Sequence, residues 1–394
     1  MSAGTLWRKA TLSAAVMLLA TAAAGAANTP KAPVRRLVAT EGKGYLETVG
    51  GYRVLHLKGT PEQMGRQHGR LLKEPVTENV NFLLAERPGE GFQIGDMQVT
   101  RTMLAGVMNQ AFAGKIPEPY VKEMRALADG AGLPADRVIA CNLIPEMFHC
   151  SGFALLSKTT AEKKLYHGRI LDYGVDQHLQ DHAVLIIQQP DGKVPFVNVS
   201  YAGFIGSVTG MNVEQVSIGE MGGGGVGMWS GVPMSFLVRM VLDGTRTLDE
   251  AVAVFKDHPR TCEYYYVIAD ARRDSAVGLW ATPDKLEIVK PGQAHDLLPT
   301  PVPETVILSA FDRYTHLVKR IRTGVGTFTP ESAIRLMDAP VAMKANLHDV
   351  LMIPADGVLY VANAAGDRAP AWKQPYHRFD VRRLMAARPG QKDH

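Results

Sequence analysis

From Cys150 onward the apolar residues fall into short runs separated by polar turns, and this pattern restricts the fold more than any other property of the chain. CSGFALLS, KLYHGRILDY, HAVLIIQQ, VPFVNVSY, GSVTGMN and VSIGE follow one another, divided by TTAEKK, PDGK and similar stretches. Runs of this length rich in β-branched and aromatic residues read as strands of an antiparallel meander, not as βαβ units. Two helical segments follow, GVPMSFLVRMVLDGT and TLDEAVAVFKDH, the second with Thr247 and Glu250 spaced as a capping box. Strands return at EYYYVIAD, SAVGLWATP and KLEIVK, a helix starts at Thr329-Pro330-Glu331, and LMIPADGVLYVANA closes as a hairpin around Asp356-Gly357.

Before Cys150 the period is helical. Thr60-Pro61-Glu62-Gln63 is a capping box with proline at the first helical position. PEPYVKEMRALADGAG carries apolar residues at helical spacing as far as Leu127, and Gly130 and Gly132 end it. Helices followed by strands, helices and strands again predict an α+β layered architecture with largely antiparallel sheets.

The first 26 residues hold Arg8 and Lys9, an apolar run and Ala24-Gly25-Ala26, the layout of a signal peptide. The run falls short of the ~20 residues a membrane span needs, and no later stretch reaches that length. An exported chain, periplasmic or secreted and without a stable membrane anchor, is the expectation. A formal charge of +4 over 394 residues, with no basic run interleaved with aromatics, argues against nucleic acid. The three cysteines have no C-x-x-C spacing and no histidine pair beside them, so neither metal nor cofactor is expected. MGGGGVG lacks the GK[ST] ending of a phosphate cradle and reads as a loop bordering the site.

Chemistry concentrates at HCSGFALLSKTTAEKKLYHGRILDY. Cys150 heads a strand between His149 and the small Ser151 and Gly152, and Arg169 and Asp172 lie on the returning strand. There R-x-x-D is expected to turn both side chains to the cysteine, the arginine favouring a thiolate and the aspartate holding a cation. A general base is missing. Cutting the His149–Cys150 bond would supply one, because the freed α-amine has a reference pKa of about 7.7–8.0. Nucleophile and base would then share one residue.

This arrangement resembles N-terminal-nucleophile cysteine hydrolases of the isopenicillin-N acyltransferase type, related to choloylglycine hydrolases and acid ceramidases. Cys-Ser-Gly-Phe-Ala followed by Gly168-Arg169-Ile170-Leu171-Asp172-Tyr173 carries the likeness, supported by GTPEQMGRQHG and EMRALADGAG upstream and by TGMN and NLHDV downstream. The resemblance implies a four-layer αββα sandwich, a helical propeptide or α chain over 27–149, and a catalytic β chain over 150–394 that stays associated with it. It implies cleavage between His149 and Cys150, after which Cys150 attacks the carbonyl of a small N-acyl amide or related ester. Arg169 would support the nucleophile and Asp172 would fix the α-amine. Asn212 would donate to the oxyanion, a contribution of ~3–4 kcal/mol. Where ceramidase-like relatives have a further asparagine in T-N-Y-D-x-W, Ser309-Ala310-Phe311-Asp312-Arg313-Tyr314 places alanine.

Two other readings stand beside this one. Asn346 and His348 would complete an uncleaved cysteine hydrolase of papain-like logic, and the alanine at 310 fits an inactive exported binding protein on the same scaffold. Cys141 and Cys262 are candidates to pair across the cleavage site in an oxidising compartment.

Overall fold

Two adjacent glycines, Gly50 and Gly51, both at positive φ, close a hairpin that the sequence reading did not anticipate. The computed structural model describes residues 34–85, 92–94, 97–144, 149–225 and 227–391. The expected signal sequence, 1–26, lies outside the described residues. Strands β1 (Arg35–Glu41), β2 (Gly44–Val49) and β3 (Tyr52–Gly59) come first.

Helices α1 (Pro61–Leu71) and α2 (Lys73–Leu84), the short strands β4 (Phe92–Ile94) and β5 (Met97–Val99), and helices α3 (Arg101–Ala111), α4 (Glu118–Ala131) and α5 (Ala135–Leu143) fill the expected helical stretch. The Thr60 capping box is formed: Gln63 N donates to Thr60 Oγ1 at 3.3 Å and Thr60 N to Gln63 Oε1 at 3.0 Å. Gly132, at φ +76°, ends α4. The GRQHG spacing has a packing cause, since a Cβ on Gly65 or Gly69 would come within 2.1 or 2.2 Å of the Glu123 or Leu127 carbonyl oxygen. Only glycine lets α1 and α4 approach this closely.

Beyond the helices lie β6 (His149–Leu155), β7 (Tyr166–Asp172), β8 (Ala183–Pro190), β9 (Phe196–Tyr201), β10 (Thr209–Asn212) and β11 (Val216–Gly222). Next come α6 (Met234–Gly244), α7 (Leu248–Asp257), β12 (Tyr264–Asp270), β13 (Ser275–Ala281), β14 (Leu286–Val289) and β15 (Thr305–Leu308). The chain closes with α8 (Phe311–Gly324), α9 (Pro330–Arg335), β16 (Asn346–Ile353), β17 (Val358–Asn363), β18 (His377–Asp380) and α10 (Val381–Ala386). At α7 the Thr247 hydroxyl accepts from Glu250 N, but the Glu250 carboxylate turns to Arg246 N instead of completing the box.

One sheet of ten strands has the order β1-β2-β3-β8-β9-β10-β11-β12-β13-β14, and one of six has β15-β6-β7-β16-β17-β18. All pairings are antiparallel except β3 with β8. That parallel join requires a long crossover, and the helices together with the β6–β7 hairpin supply it. Strands β6, β7 and β15 pack across β11, β12 and β13. Helices α1, α6 and α7 cover the outside of the larger sheet, while α8 and α9 lie against β15, β7 and β16. These are the four αββα layers that the resemblance implies. The hydrophobic core lies between the sheets and under both helical layers.

The proposed pairing of Cys141 with Cys262 is not present. Neither cysteine is in a disulfide and both are buried; Cys141 lies in α5 beside the Val80 carbonyl, and Cys262 precedes β12.

Candidate active site

The register of the β6–β7 hairpin decides which side chains meet. Cys150 is opposite Leu171 and Gly152 is opposite Arg169, so the cysteine and the arginine share the face turned to the larger sheet. Gly152 lets the two sheets approach here, since a Cβ on it would lie 2.8 Å from Met221 Sδ. Residues three apart on a strand point to opposite faces. Arg169 therefore reaches the sulfur, while Asp172 is held on the far face. The expectation that R-x-x-D returns both side chains to the cysteine fails for this reason.

Arg169 Nη2 donates to Cys150 Sγ at 3.2 Å, to the Glu220 carbonyl at 2.9 Å and to Glu220 Oε2 at 3.4 Å. Its guanidinium is 0% exposed. Nη1 lies 3.4 Å from His348 Nε2, whose ring is also held by Thr209 Oγ1 at 3.1 Å and by Tyr201 Oη, 2.9 Å from Nδ1. Gly219 makes room for the arginine: a Cβ there would sit 2.7 Å from Arg169 Cγ.

Burial pushes the Cys150 thiol up to about 12, opposed by Arg169 and by a hydrogen bond from the Asp172 backbone. In the joined chain the sulfur is thus held mainly as thiol. Burial, followed by Arg169, drives His348 well below the ordinary histidine value, which keeps the ring neutral. A neutral ring that accepts from Arg169 at Nε2 carries its proton on Nδ1 and donates it to Tyr201. The Asp172 carboxyl is raised by burial, against the pull of the Met343 N–H at 2.9 Å and of Arg313 Nη1 at 2.5 Å. Arg313 Nη2 is also 3.5 Å from the Cys150 carbonyl. His149 is paired with Asp172 at the start of β6, which puts the His149–Cys150 bond at the end of a strand.

Asn212 does not join the group. Its Nδ2 donates to the Leu242 and Thr245 carbonyls and its Oδ1 accepts from Glu214 and Val216 N–H, which exhausts the carboxamide. It fastens a turn to the end of α6, and the expected oxyanion role has no free donor behind it. Nor is the papain-like set assembled, because Arg169 stands between His348 and Cys150, and Asn346 is bound to the Leu171 carbonyl, Asp349 and Trp372 N. Glu220, Arg313, Tyr201 and Thr209 were missed from sequence. Arg313 stood within the SAFDRY stretch, three residues past the alanine.

A cavity of about 620 Å³ opens at Cys150. Strands β11–β13 give one wall through Met221, Tyr265, Leu279 and Trp280; Leu297, Leu308 and Tyr314 bring further apolar surface, and the half-buried Arg313 adds a cation. Gly222 and Gly223 border it, as expected for the glycine run, and Ala310 lines it too. Phe311, 93% exposed and at φ +53°, stands at the mouth. Among the described residues no group of three histidine, cysteine or acidic side chains is placed to hold a metal ion.

A family model described as acyl-coenzyme A:6-aminopenicillanic acid acyl-transferase matches residues 159–295. Protein dcd1A of Dictyostelium discoideum is 28% identical over 240 residues, 54% of each chain. Acid ceramidase of Rattus norvegicus is 26% identical over 202 residues, 44% of this chain and 48% of that protein. The chain therefore spans about half the length of these curated relatives. A solved N-acylethanolamine-hydrolyzing acid amidase ortholog from Caenorhabditis elegans aligns over 58% of this chain and 100% of its own, at 17% identity and a TM-score of 0.42.

Proposed function

We propose that this chain, a relative of the acyl-coenzyme A:6-aminopenicillanic acid acyl-transferases and acid ceramidases and with them of the N-terminal-nucleophile hydrolases, is a self-processing cysteine amidohydrolase or acyltransferase. Its substrates are small N-acyl amides or related esters with an apolar acyl group. The observation that carries this reading is one sulfur, Cys150, held by a fully buried arginine at the floor of an apolar cavity.

Processing begins when Cys150 Sγ adds to the His149 carbonyl; the C–N bond breaks, the α-amine of Cys150 leaves, and a thioester joins His149 to the sulfur. Water hydrolyses the thioester, giving a carboxylate on His149 and a free thiol. The new α-amine then takes the thiol proton as the sulfur attacks a substrate carbonyl. Arg169 stabilises the sulfur's negative charge in both steps. Asp172 is one strand position from the new amine and is ion-paired with Arg313. Water or an amine finally takes the acyl group.

The two chains stay together because the segment before Cys150 supplies β1–β3 to the larger sheet, and α4 joins α6 through the buried Glu123–Arg239 pair at 3.0 Å. Export, with removal of residues 1–26, completes the proposal. Intact mass and N-terminal sequencing of purified protein test it, with Cys150→Ala as control. A chain starting at Cys150, absent from the variant, together with hydrolysis of N-acyl amides, is the expected result. Active protein with no such chain overturns the mechanism, and labelling by a thiol probe without turnover of any amide favours a binding protein.

A further inference from the structure

Glu263 lies just before β12 and outside the machinery described so far, yet one carboxylate there ties together three parts of the cavity wall. Its Oε1 accepts from Tyr265 Oη at 2.6 Å and from Trp280 Nε1 at 2.9 Å, and its Oε2 accepts from Gly224 N at 3.0 Å. Tyr265 and Trp280 are direct cross-strand partners, with Met221 on the other side of Tyr265, so the three form one row across the sheet. All three line the cavity that opens at Cys150.

The glycine run is shaped to this residue. Gly223 N donates to the Glu263 carbonyl and Glu263 N to the Gly224 carbonyl, each at 2.9 Å. A Cβ on Gly223 would meet Glu263 backbone and side chain at 2.7 and 2.8 Å, and one on Gly224 would lie 3.2 Å from Oε2. Gly225 is at φ +78°, a conformation that favours glycine. Gly223 and Gly224 of MGGGGVG are thus fitted to closing a loop against a carboxylate.

We infer that Glu263 is a specificity-positioning residue: it clamps Tyr265, Trp280 and the glycine loop in place and so fixes the length and girth of acyl group the cavity accepts. This rests on the amidohydrolase reading. Tyrosine hydroxyl and indole N–H are the polar ends of two large apolar rings. Releasing them lets both rings rotate away and the loop lift, which enlarges the space available to an acyl chain. Trp280 keeps Lys285 over its ring at 4.5 Å and His295 at its edge, so the wall loosens without being lost.

The test uses the full chain and its E263A and E263Q variants with p-nitroanilides of butanoic to hexadecanoic acids. The wild type is expected to prefer one chain length. In E263A the preference moves to longer chains, the ratio of kcat/KM for dodecanoyl over hexanoyl substrate rises about tenfold or more, and the change falls on KM more than on kcat. E263Q, which keeps a carbonyl oxygen for Tyr265 and Trp280, moves the ratio less. An unchanged length profile in a folded E263A overturns the clamp, while hydrolysis by the wild type upholds the amidohydrolase reading. If no anilide is turned over by any form, that reading falls and the clamp is judged alone by the Trp280 indole ¹⁵N–¹H resonance, assigned with W280F. A resonance displaced in E263A supports the clamp, and one that stays in place refutes it.

Discussion

Replacing Arg169 tests the physical core of the site. Its Nη2, 3.2 Å from Cys150 Sγ, is a charged donor in a fully buried setting. A hydrogen bond to a charged group contributes roughly 1.5–3 kcal/mol. At ~1.36 kcal/mol per factor of ten, its loss lowers the thiolate population about 10- to 150-fold at any pH below the thiol's. Iodoacetamide reacts with the thiolate, so the alkylation rate of Cys150 reads this population directly. With the thiol of the joined chain pushed up to about 12, its rate climbs tenfold per pH unit between pH 6 and 9. In the processed chain the adjacent α-amine flattens that rise. Intact mass separates the two forms within one sample. Arg169→Leu also strips Glu220 of its guanidinium partner, a loss on the order of 3–5 kcal/mol in stability, so Arg169→Lys, which keeps the charge without the fork, is measured alongside. A folded Arg169→Leu protein alkylated at the wild-type rate would refute the reasoning, as would a Lys variant slower than the Leu variant.

Asn212→Ala should lower stability by about 2–4 kcal/mol through four lost hydrogen bonds, measured by urea unfolding. Its folded fraction should retain kcat, in contrast to the 10²–10³-fold loss that follows removal of an oxyanion donor. Gly219→Ala places a methyl group 2.7 Å from Arg169 Cγ; displacing the guanidinium should slow processing on the order of 10²-fold, followed by the time course of the joined mass. Arg239→Met leaves the Glu123 and Asp243 carboxylates, both buried, without the cation they share. Unfolding free energy should drop by about 3–5 kcal/mol.

What was legible in the sequence is what is local in the chain. Cys150, Arg169 and Asp172 occupy one hairpin, where strand propensity and turn spacing predict the pairing. The long strands and capped helices on which the αββα layers rest were readable for the same reason. Contacts made through space were not. Glu220 approaches Arg169 only because two sheets stack, and Arg313 meets Asp172 only because α8 lies on the six-stranded sheet. Ala310 drew attention to a missing side chain while the charged residue three positions on went unread. Asn212 was assigned by motif, but its partners at the end of α6 are 30 and 33 residues away. Strands β1–β3 are the exception: β1 with β2 and β2 with β3 pair locally, and the Gly50-Gly51 turn signal was overlooked, while only β3 has its other partner, β8, more than a hundred residues downstream.

The parallel seam between β3 and β8 changes what unfolding means for this molecule. While the chain is continuous, bringing that seam together is loop closure, whose cost grows only slowly with length. Once the peptide bond before Cys150 is cut, the same seam becomes an interface between two polypeptides, and its re-formation depends on their concentration. For the joined chain, re-forming the seam is unimolecular and does not depend on concentration. On the proposed cleavage, the processed pair, once parted, would have to find each other again, so maturation would make the folded state something the molecule reaches easily only once.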